Sequence, residues 1–350
     1  MKYKGLRQFG TQKHSLPPKT TARRVPLWLP YLQEIRKVKG DVFNFSYNGG
    51  EVESSLSEIQ SIMIYGDSDT SLNVSTIDQI VRAGVPIIIH RRNITQPIYI
   101  FGGERPDLDD TISAQIRIRD KKRSSSHVAR QLIATKMKSM SWLVDPLPLP
   151  MFASVDALRN IEAKHAKKYW HEFFTRLGYP EWTRRDKNPA AVALDAHSKF
   201  ITGIILRWCT YHHLSPYHGF LHVTTDYPSL VYDLFEPYRG IFEQKLLEEW
   251  VRGGVNPKNY LGSAISIDKE FLDDKCYVPL TRQIVTHQEL LHGIVLSLKY
   301  YCLGRQHRFL IPMPGKPNGG RPPKVEFLLY GRHAGKTDFW KVANEVSKRK

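Results

Sequence analysis

Cysteine is scarce in this 350-residue chain, and long apolar runs are absent. Its three cysteines, Cys209, Cys276 and Cys302, lie far apart and form no CxxC pair. This spacing argues against a disulfide framework and against a zinc knuckle, and it fits a reducing cytoplasm. No stretch approaches about 18 consecutive apolar residues, and the basic N-terminus lacks the apolar segment of a secretory signal. The sequence therefore predicts a cytoplasmic protein with no membrane partner.

Acidic residues are also few in relation to basic ones. Lys and Arg together number 51 and Asp and Glu 34, which gives a formal net charge of +17. Such an excess favours polyphosphate partners, because neutralising phosphates releases their condensed counterions. A merely solubilising surface is the alternative interpretation. Of the two, the charge favours a nucleic-acid partner.

The apolar pattern changes from strand-like to helix-like along the chain. Residues 41–101 hold short runs rich in Ile and Val and a hairpin signal at Asn48-Gly49-Gly50. Helical periodicity follows at 154–177, 188–213, 228–252 and 286–302. The predicted fold is α+β, with a small, mostly β N-terminal domain (residues 1–105, of which the first 40 show no clear pattern) and a larger all-α domain (residues 106–350) with a basic tail.

One carboxylate lies on the apolar stripe of the helix predicted over 154–177. Leu158, Ile161, His165 and Tyr169 form this stripe, and Glu162 lies on the same side. An unpaired buried charge is costly, so a glutamate in this place needs a partner. The alternative is a glutamate at the edge of the stripe that reaches water or an arginine, the commoner situation for a single Glu.

A second group of polar residues surrounds the helix that follows in HGFLHVTTDYPSLVYDLFEPYRG, residues 218–240. Asp233 and Glu236 are three residues apart and hence neighbours on one helix face. Pro237 predicts a kink or a restart beside them, because its ring clashes with the carbonyl of residue 233. His222 comes just before the helix. Together with Glu162, residues Glu236 and His222 make a possible site of two carboxylates and one imidazole. Such a set of oxygen and nitrogen ligands suits Mg²⁺ or Mn²⁺ better than structural zinc.

These residues also carry a resemblance. The run DKNPAAVALDAHSKFITGIILRWCTYHHLSPYHGFLHVTTDYPSLVYDLFEPYRG resembles the core of the CRISPR-associated integrase family of spacer acquisition, the Cas subunit numbered one. The family pattern is a Glu-bearing helix, an NP…L(N/D) helix, GF(L/V)H, and SL…D(L/I)xE(or D)xxR. The matching positions are Ile161-Glu162, Asn188-Pro189, Gly219 to His222, Ser229-Leu230, Asp233, Glu236 and Arg239. IMIYGDSDTSLNVSTIDQIVRAGVPIII resembles the family's β domain, and HVARQLIATKM resembles the first helix of its α domain. The similarity spans most of residues 40–300, which leaves out the loop 313–324.

The resemblance implies a prokaryotic, metal-dependent DNA endonuclease and integrase of antiviral defence, whose helical domain is catalytic. Position by position, it implies Glu162, His222 and Glu236 as ligands of Mg²⁺ or Mn²⁺. Asp233 is implied as a fourth ligand or as a residue behind the ligands. Arg239 is implied as a residue that orients the acids or holds a phosphate.

At one position the chain departs from the family pattern. Many members carry a tyrosine in the helix before GFLH, where this chain has Phe200 and Thr202. A role for a tyrosine hydroxyl is therefore not expected here.

The expected reaction is phosphodiester transfer, in which the 3′-hydroxyl of a spacer precursor attacks a repeat boundary. A metal and a basic groove can support such a displacement without a protein nucleophile. Our candidates for phosphate contacts are Lys164, Lys168, Arg184 and Arg185, and a solvated surface is the alternative for each. The alternative function is a non-catalytic, basic scaffold that binds nucleic acid.

The partners that the resemblance implies are three. They are double-stranded DNA (the spacer precursor, with frayed ends, and the CRISPR repeat), a second copy of the chain in a homodimer or higher assembly, and the small companion Cas subunit numbered two.

Overall fold

A computed structural model describes residues 24–67, 70–91, 96–102, 106–316 and 323–333. They divide into two compact units, each made of segments that are discontinuous in sequence. The first unit is drawn from Met1–Pro106, Arg185–His213 and Gly254–Ser266. The second is drawn from Asp107–Arg184, Leu214–Gly253 and Ile267–Lys350.

The first unit contains two β-sheets and helical segments from different parts of the chain. Its elements are β1 (Val25–Pro30), β2 (Leu32–Lys39), β3 (Val42–Tyr47), β4 (Gly50–Ser55), β5 (Ile59–Tyr65), α1 (Val74–Arg82), β6 (Ile87–His90), β7 (Ile98–Ile100) and α5 (Pro189–Tyr211). One sheet has the order β1-β5-β6-β7, with β7 antiparallel to the other three strands. The other is the antiparallel meander β2-β3-β4. Tyr47 pairs with Gly50 across the predicted turn.

Helix α5 explains why the first unit includes residues far along the chain. Every residue of β5 is buried, as expected for a strand that is covered on both faces. Helix α5 packs against β5 and is itself buried along most of its length. Arg207 donates hydrogen bonds to the carbonyls of Ile59 (2.9 Å) and Ala83 (3.3 Å). The predicted continuous domain 106–350 therefore differs from the observed units, because α5 buries its apolar surface on the N-terminal sheet.

The second unit is mainly helical. It contains α2 (Thr111–Asp120), α3 (Lys122–Ser139), α4 (Val155–Arg176), α6 (Ser229–Gly253) and α8 (His287–Cys302), and α7 (Tyr260–Asp273) crosses from the first unit into it. A small antiparallel sheet accompanies the helices, with β8 (Lys275–Val278), β9 (Gln283–Thr286) and β10 (Arg332–His333) in the order β10-β9-β8. A β-rich N-terminal region followed by a mostly helical one confirms the predicted α+β class. In the described ranges, no helix is both long and apolar enough to cross a bilayer.

Pro237 was predicted to kink or restart the helix, and the restart is wrong, since α6 continues through this residue. Proline removes one helical hydrogen bond, the one that the carbonyl of Asp233 would accept. Buried side chains on both sides of the proline, including Leu234, Tyr238 and Phe242, hold the helix in place. Packing thus outweighs the lost hydrogen bond.

Helices α3 and α6 touch through their backbones. A Cβ atom on Gly240 would overlap the backbone of Ser139, so only glycine fits at this crossing. Trp142 Nε1 also donates a 3.0 Å hydrogen bond to the Gly240 carbonyl. Lys136 lies three residues before Ser139 and Glu236 four residues before Gly240, about one helical turn from the crossing in each case. The close approach therefore sets the spacing between Lys136 and Glu236.

We expect Gly240→Ala to force α3 and α6 apart and to lower the free energy of unfolding by about 1–3 kcal/mol, the usual cost of overpacking. Urea denaturation measures the effect. The matched control is Gly253→Ala at the exposed last residue of the same helix, where alanine is expected to be neutral or slightly stabilising. Equal stability of Gly240→Ala and the wild type would contradict the crossing as described.

Candidate active site

Three helices of the second unit bring two carboxylates to one ammonium group. Lys136 on α3 has its Nζ 2.5 Å from Glu162 Oε1 on α4 and 2.5 Å from Glu236 Oε2 on α6. The side chain of Lys136 is 9% exposed, and that of Glu236 is 6% exposed. Like charges at such depth are tolerated only when an opposite charge pairs with them. Lys136 supplies that charge, and sequence analysis did not identify it.

Glu236 is ionised at neutral pH despite its burial. Burial alone would raise the pKa of this carboxyl, but the positive charges of Arg239, Lys136 and His222 lower it to about 2. Arg239 Nη2 lies 3.1 Å from Glu236 Oε1, and the same guanidinium lies over the Phe235 ring. The contact of Glu236 Oε2 with Lys136 is close enough for an ion pair but is not an aligned hydrogen bond. A divalent cation could reach this oxygen only in place of the Lys136 ammonium.

Asp233 organises the loop that carries His222. Its Oδ2 accepts the backbone N–H groups of Phe220 (2.6 Å) and Leu221 (2.8 Å), and its Oδ1 accepts that of His222 (3.0 Å). Gly219 has no space for a side chain, since a Cβ there would lie 2.8 Å from Asp233 Oδ2. Ser229 Oγ accepts the Gly219 N–H. The Gly-Phe-Leu-His segment and the Ser and Asp of the next helix thus form one hydrogen-bonded unit.

Asp233 also orients the imidazole of His222. His222 Nδ1 lies 2.6 Å from Asp233 Oδ1, and because the carboxylate can only accept, Nδ1 carries the proton. Nε2 is then left for a ligand, the arrangement in which a carboxylate positions a metal-binding histidine. Burial lowers the pKa of His222, but the hydrogen bond and the charge of Asp233 outweigh burial, so that the pKa is raised. With four contacts to its two oxygens, Asp233 fits a positioning role better than that of a ligand.

A cleft of about 300 Å³ opens beside these groups. Lys136, Glu162 and His222 line it, together with Arg159 and Asn160 of α4. Arg159 lies three residues before Glu162 and so on the same side of the helix. The three-residue spacing from Glu162 could therefore have indicated from the sequence that Arg159 lies at the same site. Nothing in the sequence linked Lys136 on α3 to the acids of α4 and α6.

The four predicted phosphate contacts do not line this cleft. Lys164 is exposed but lies about 200° around α4 from Glu162, which points it elsewhere. Lys168 is exposed farther along the same helix. Arg184 is half-buried, with its guanidinium 5.3 Å from the centre of the Trp170 ring. Arg185 belongs to the first unit. Phe200 and Thr202, at the position of the family tyrosine, are both buried within that unit.

The donor atoms suit a divalent cation, although their present arrangement serves the ammonium of Lys136. Two carboxylates and an imidazole are the mixed oxygen and nitrogen set expected for Mg²⁺ or Mn²⁺. Among the residues that the structure describes, no three His, Cys, Asp or Glu side chains are already grouped as a metal site. Glu162, Glu236 and His222 therefore fit the cation chemically, provided that Lys136 moves aside.

Replacing Lys136 tests whether a cation is needed between the acids. We expect Lys136→Met to lower the free energy of unfolding in EDTA by about 3–5 kcal/mol, because the buried Glu236 and the partly buried Glu162 lose their counterion. Mn²⁺ should restore part of this loss and should stabilise the variant more than the wild type. Thermal denaturation with and without Mn²⁺ measures both effects. Lys138→Met, at an exposed position of the same helix, is the control. Equal stabilisation of all three proteins by Mn²⁺ would contradict the inference that Mn²⁺ and the Lys136 ammonium occupy the same position.

Replacing Asp233 tests the positioning of His222. In Asp233→Asn an amide donor faces backbone N–H groups, so we expect a loss of about 3 kcal/mol or more in the free energy of unfolding. The pKa of His222, followed by NMR, should fall as its raising partner is lost. In the wild type a raised pKa contributes stability below the unfolded-state value of 6.5, and this contribution is lost as the pH rises through the folded-state pKa. An unchanged pKa in the variant would show that Asp233 does not hold the imidazole.

Comparison with solved structures places this fold among known ones. A Cas1 protein from Thermotoga maritima matches with a TM-score of 0.67 and 15% identity over 82% of this chain and 98% of its own. A casposase bound to integration product matches with a TM-score of 0.50 and 20% identity over 83% of this chain and 98% of that one. A Cas6-RT-Cas1–Cas2 complex matches with a TM-score of 0.62 and 12% identity over 84% of this chain and 36% of that one. At these identities the likeness concerns the fold.

The sequence itself supplies the family. No curated protein matches it. The family model described as CRISPR associated protein Cas1 matches residues 33–149 and 147–264, more than half of the chain. The match includes both carboxylates, the histidine and the loop that Asp233 anchors. The chain belongs to the Cas1 family.

Proposed function

We propose that this Cas1-family chain is a divalent-metal-dependent DNA endonuclease and integrase that inserts spacer DNA into a CRISPR array. The family supports a role in spacer integration and a nuclease or integrase activity in general. A casposase bound to integration product has a similar fold. The observation that carries the proposal is the pair of carboxylates, Glu162 and Glu236, held together by the Lys136 ammonium, with Lys136, Glu162 and His222 lining an open cleft.

The reaction would be an in-line transfer in which a DNA 3′-hydroxyl attacks a phosphodiester of the repeat. The new P–O bond would replace the P–O3′ bond of the attacked strand, whose 3′-oxygen would leave and take up the proton lost by the attacking hydroxyl. A divalent cation at this place would polarise the scissile phosphate and lower the pKa of the attacking hydroxyl. Glu162 and Glu236 would supply anionic oxygens to hold it, and His222 would supply Nε2. Arg239 keeps Glu236 ionised for this purpose, and Asp233 keeps the imidazole in place.

The remaining cleft residues would bind and position the DNA. Arg159 and Asn160 line the same wall as Glu162 and can donate hydrogen bonds to phosphate oxygens. The residues that line the cleft include no serine, threonine or cysteine, which fits direct attack by the DNA and not a covalent protein intermediate. Positioning and electrostatic stabilisation would then supply most of the rate enhancement.

The proposed partners are double-stranded DNA, a second copy of the chain and the companion subunit Cas2. The net charge of +17 fits a polyphosphate substrate. Cas2 is present in the Cas6-RT-Cas1–Cas2 complex whose Cas1 part shares this fold.

Strand transfer tests the proposal. We expect the purified protein to join a splayed-end DNA to a supercoiled repeat plasmid with Mn²⁺ or Mg²⁺ and to lose this activity in EDTA. Glu162→Gln and His222→Ala should each lower the rate by a factor of about 100 or more, since each removes a ligand of the cation. Labelled ends resolved on denaturing gels measure the joined product.

Glu172→Gln, on the same helix α4 but outside the cleft, is the matched control and should retain the wild-type rate. Reactions with added Cas2 separate an inactive chain from one that lacks its companion. If the protein binds DNA but joins no strands with any metal, with or without Cas2, the non-catalytic scaffold is the better description.

A further inference from the structure

Arg239 contacts two carboxylates, and only one of them belongs to the predicted ligand set. Its Nη2 lies 3.1 Å from Glu236 Oε1, and its Nη1 lies 3.8 Å from Glu243 Oε1. The side chain of Glu243 is only 1% exposed, and this residue does not line the cleft. A buried carboxylate is costly unless an opposite charge pairs with it. Glu243 therefore calls for a role that the ligands alone do not give it.

The two carboxylates hold the guanidinium of Arg239 through different nitrogens. Glu236, Arg239 and Glu243 follow one another at steps of three and four residues, which places them on one face of α6 with Arg239 in the middle. The guanidinium carbon lies 5.5 Å from the centre of the Phe235 ring. Because the fork of an arginine is rigid and planar, contacts at both terminal nitrogens fix its orientation better than one contact does. The position of Arg239 against Glu236 therefore depends in part on Glu243.

Tyr169 of α4 lies beside Glu243 and adds no charge there. Tyr169 follows Glu162 by seven residues, as Glu243 follows Glu236, so each pair spans about two turns of its helix. The Tyr169 side chain is completely buried. Burial and, after it, the negative charge of Glu243 raise the pKa of the Tyr169 hydroxyl well above its usual value, which keeps the hydroxyl protonated. The neutral hydroxyl leaves the charge of Glu243 to balance Arg239.

The charge of Glu243 bears on the binding of a divalent cation by Glu162 and Glu236. Arg239 alone would place a positive charge 3.1 Å from one of these two acids. Like charges repel strongly where water is excluded, so the guanidinium would oppose the cation while it orients the acid. With Arg239 balanced by Glu243, the two acids offer two negative charges to a doubly charged ion. Without Glu243, Arg239 would cancel one of them.

We propose that Glu243 is a positioning residue that holds Arg239 against Glu236 and balances its charge, and thereby strengthens the binding of a divalent cation at Glu162 and Glu236. The inference rests on the proposed function and adds to it a residue that is too deeply buried to touch the DNA. Glu243 acts through the guanidinium of Arg239, which it contacts.

The affinity for Mn²⁺ tests this role without strand transfer. Glu243→Gln keeps the size of the side chain and removes its charge. We expect it to weaken Mn²⁺ binding about 10- to 100-fold, the usual effect of replacing a residue that supports a metal ligand. Isothermal titration calorimetry of the full chain with MnCl₂ measures the dissociation constant. Glu243→Asp keeps the charge and should retain most of the affinity, whereas a merely space-filling role would be served better by glutamine.

A second measurement needs no metal. In EDTA, the ¹⁵N resonances of the Arg239 guanidinium, assigned with Arg239→Lys, report how firmly the group is held. We expect separate Nη1 and Nη2 signals in the wild type, because contacts with two acids restrict rotation of the group. In Glu243→Gln we expect a single averaged signal. Thermal denaturation in EDTA verifies that each variant is folded.

Two further variants complete the design. Glu248→Gln makes the same change on the same helix, at a side chain that is 42% exposed and pairs with Arg252, and it should match the wild type in Mn²⁺ affinity and in the Arg239 signals. Arg239→Gln/Glu243→Gln tests whether Glu243 acts through Arg239. If it does, this double variant should differ from Arg239→Gln by about 2-fold or less in Mn²⁺ affinity, since the effects of the two replacements are then not additive.

Three results would overturn the inference. The first is a wild-type dissociation constant for Mn²⁺ in Glu243→Gln. The second is an equal loss of affinity in Glu248→Gln, which would indicate an effect of net charge. The third is a set of Arg239 signals in Glu243→Gln that matches the wild type in EDTA. If these signals change but the wild type binds no Mn²⁺ and transfers no strand, the hold of Glu243 on Arg239 stands and the proposed function falls. If the wild type binds Mn²⁺ and transfers strands but Glu243→Gln binds it equally well, only the role of Glu243 is rejected.

Discussion

The ion-pair triad of Lys136, Glu162 and Glu236 is the interaction on which the second unit depends. Two carboxylates from different helices, one buried and one partly buried, repel each other where water is largely excluded, and a cation between them makes their approach favourable. Because each of the three side chains comes from a different helix, the triad fixes α3, α4 and α6 at one point. The backbone contact between Gly240 and Ser139 then has a clear purpose, since a wider crossing would move the ammonium out of reach of Glu236.

Asp233 is the second constraint, and it accounts for a sequence pattern that otherwise has no obvious cause. Its carboxylate gathers three successive backbone N–H groups and one imidazole, so the chain from Phe220 to His222 must turn around it. That turn admits no side chain at Gly219. The Gly-Phe-Leu-His segment and the Ser and Asp of the next helix are therefore what the structure requires to place His222 near Glu162 and Glu236. The proposed chemistry would require only the histidine and the acids, and the rest of the pattern follows from the geometry.

The sequence predicted what depends on local periodicity and on motif spacing. The order of a β-rich and a helical region and the bounds of α4 and α8 to within one or two residues follow from patterns within a short stretch of chain. Glu162 and His222, which line one cleft, are far apart in sequence, and it was the family resemblance that associated them. Lys136 could not be found in this way, since a lysine in a helix is ordinarily solvated and its partners are 26 and 100 residues away. Neither could the place of α5, whose continuous apolar surface shows that it is buried but not which sheet covers it. The phosphate contacts at Lys164, Lys168, Arg184 and Arg185 stay predictions, because basic residues are too frequent in this chain for sequence position to select among them.

The triad also bears on how a metal would enter. Were the acids held apart in the absence of metal, binding would have to move whole helices together against their repulsion. Here the Lys136 ammonium already compensates the charge of the acids, and Glu162 Oε1 and Glu236 Oε2 each lie 2.5 Å from its Nζ. Exchange of the ammonium for a metal ion would then require movement of only the lysine side chain, whose four-carbon stem is flexible, while the helices could stay in place. Arg239, which contacts Glu236 independently of Lys136, would keep that carboxylate ionised during such an exchange. Lys136 would thus link the stability of the metal-free chain to metal binding. Its ammonium, which compensates the charges of Glu162 and Glu236, occupies the position that the proposed cation would take.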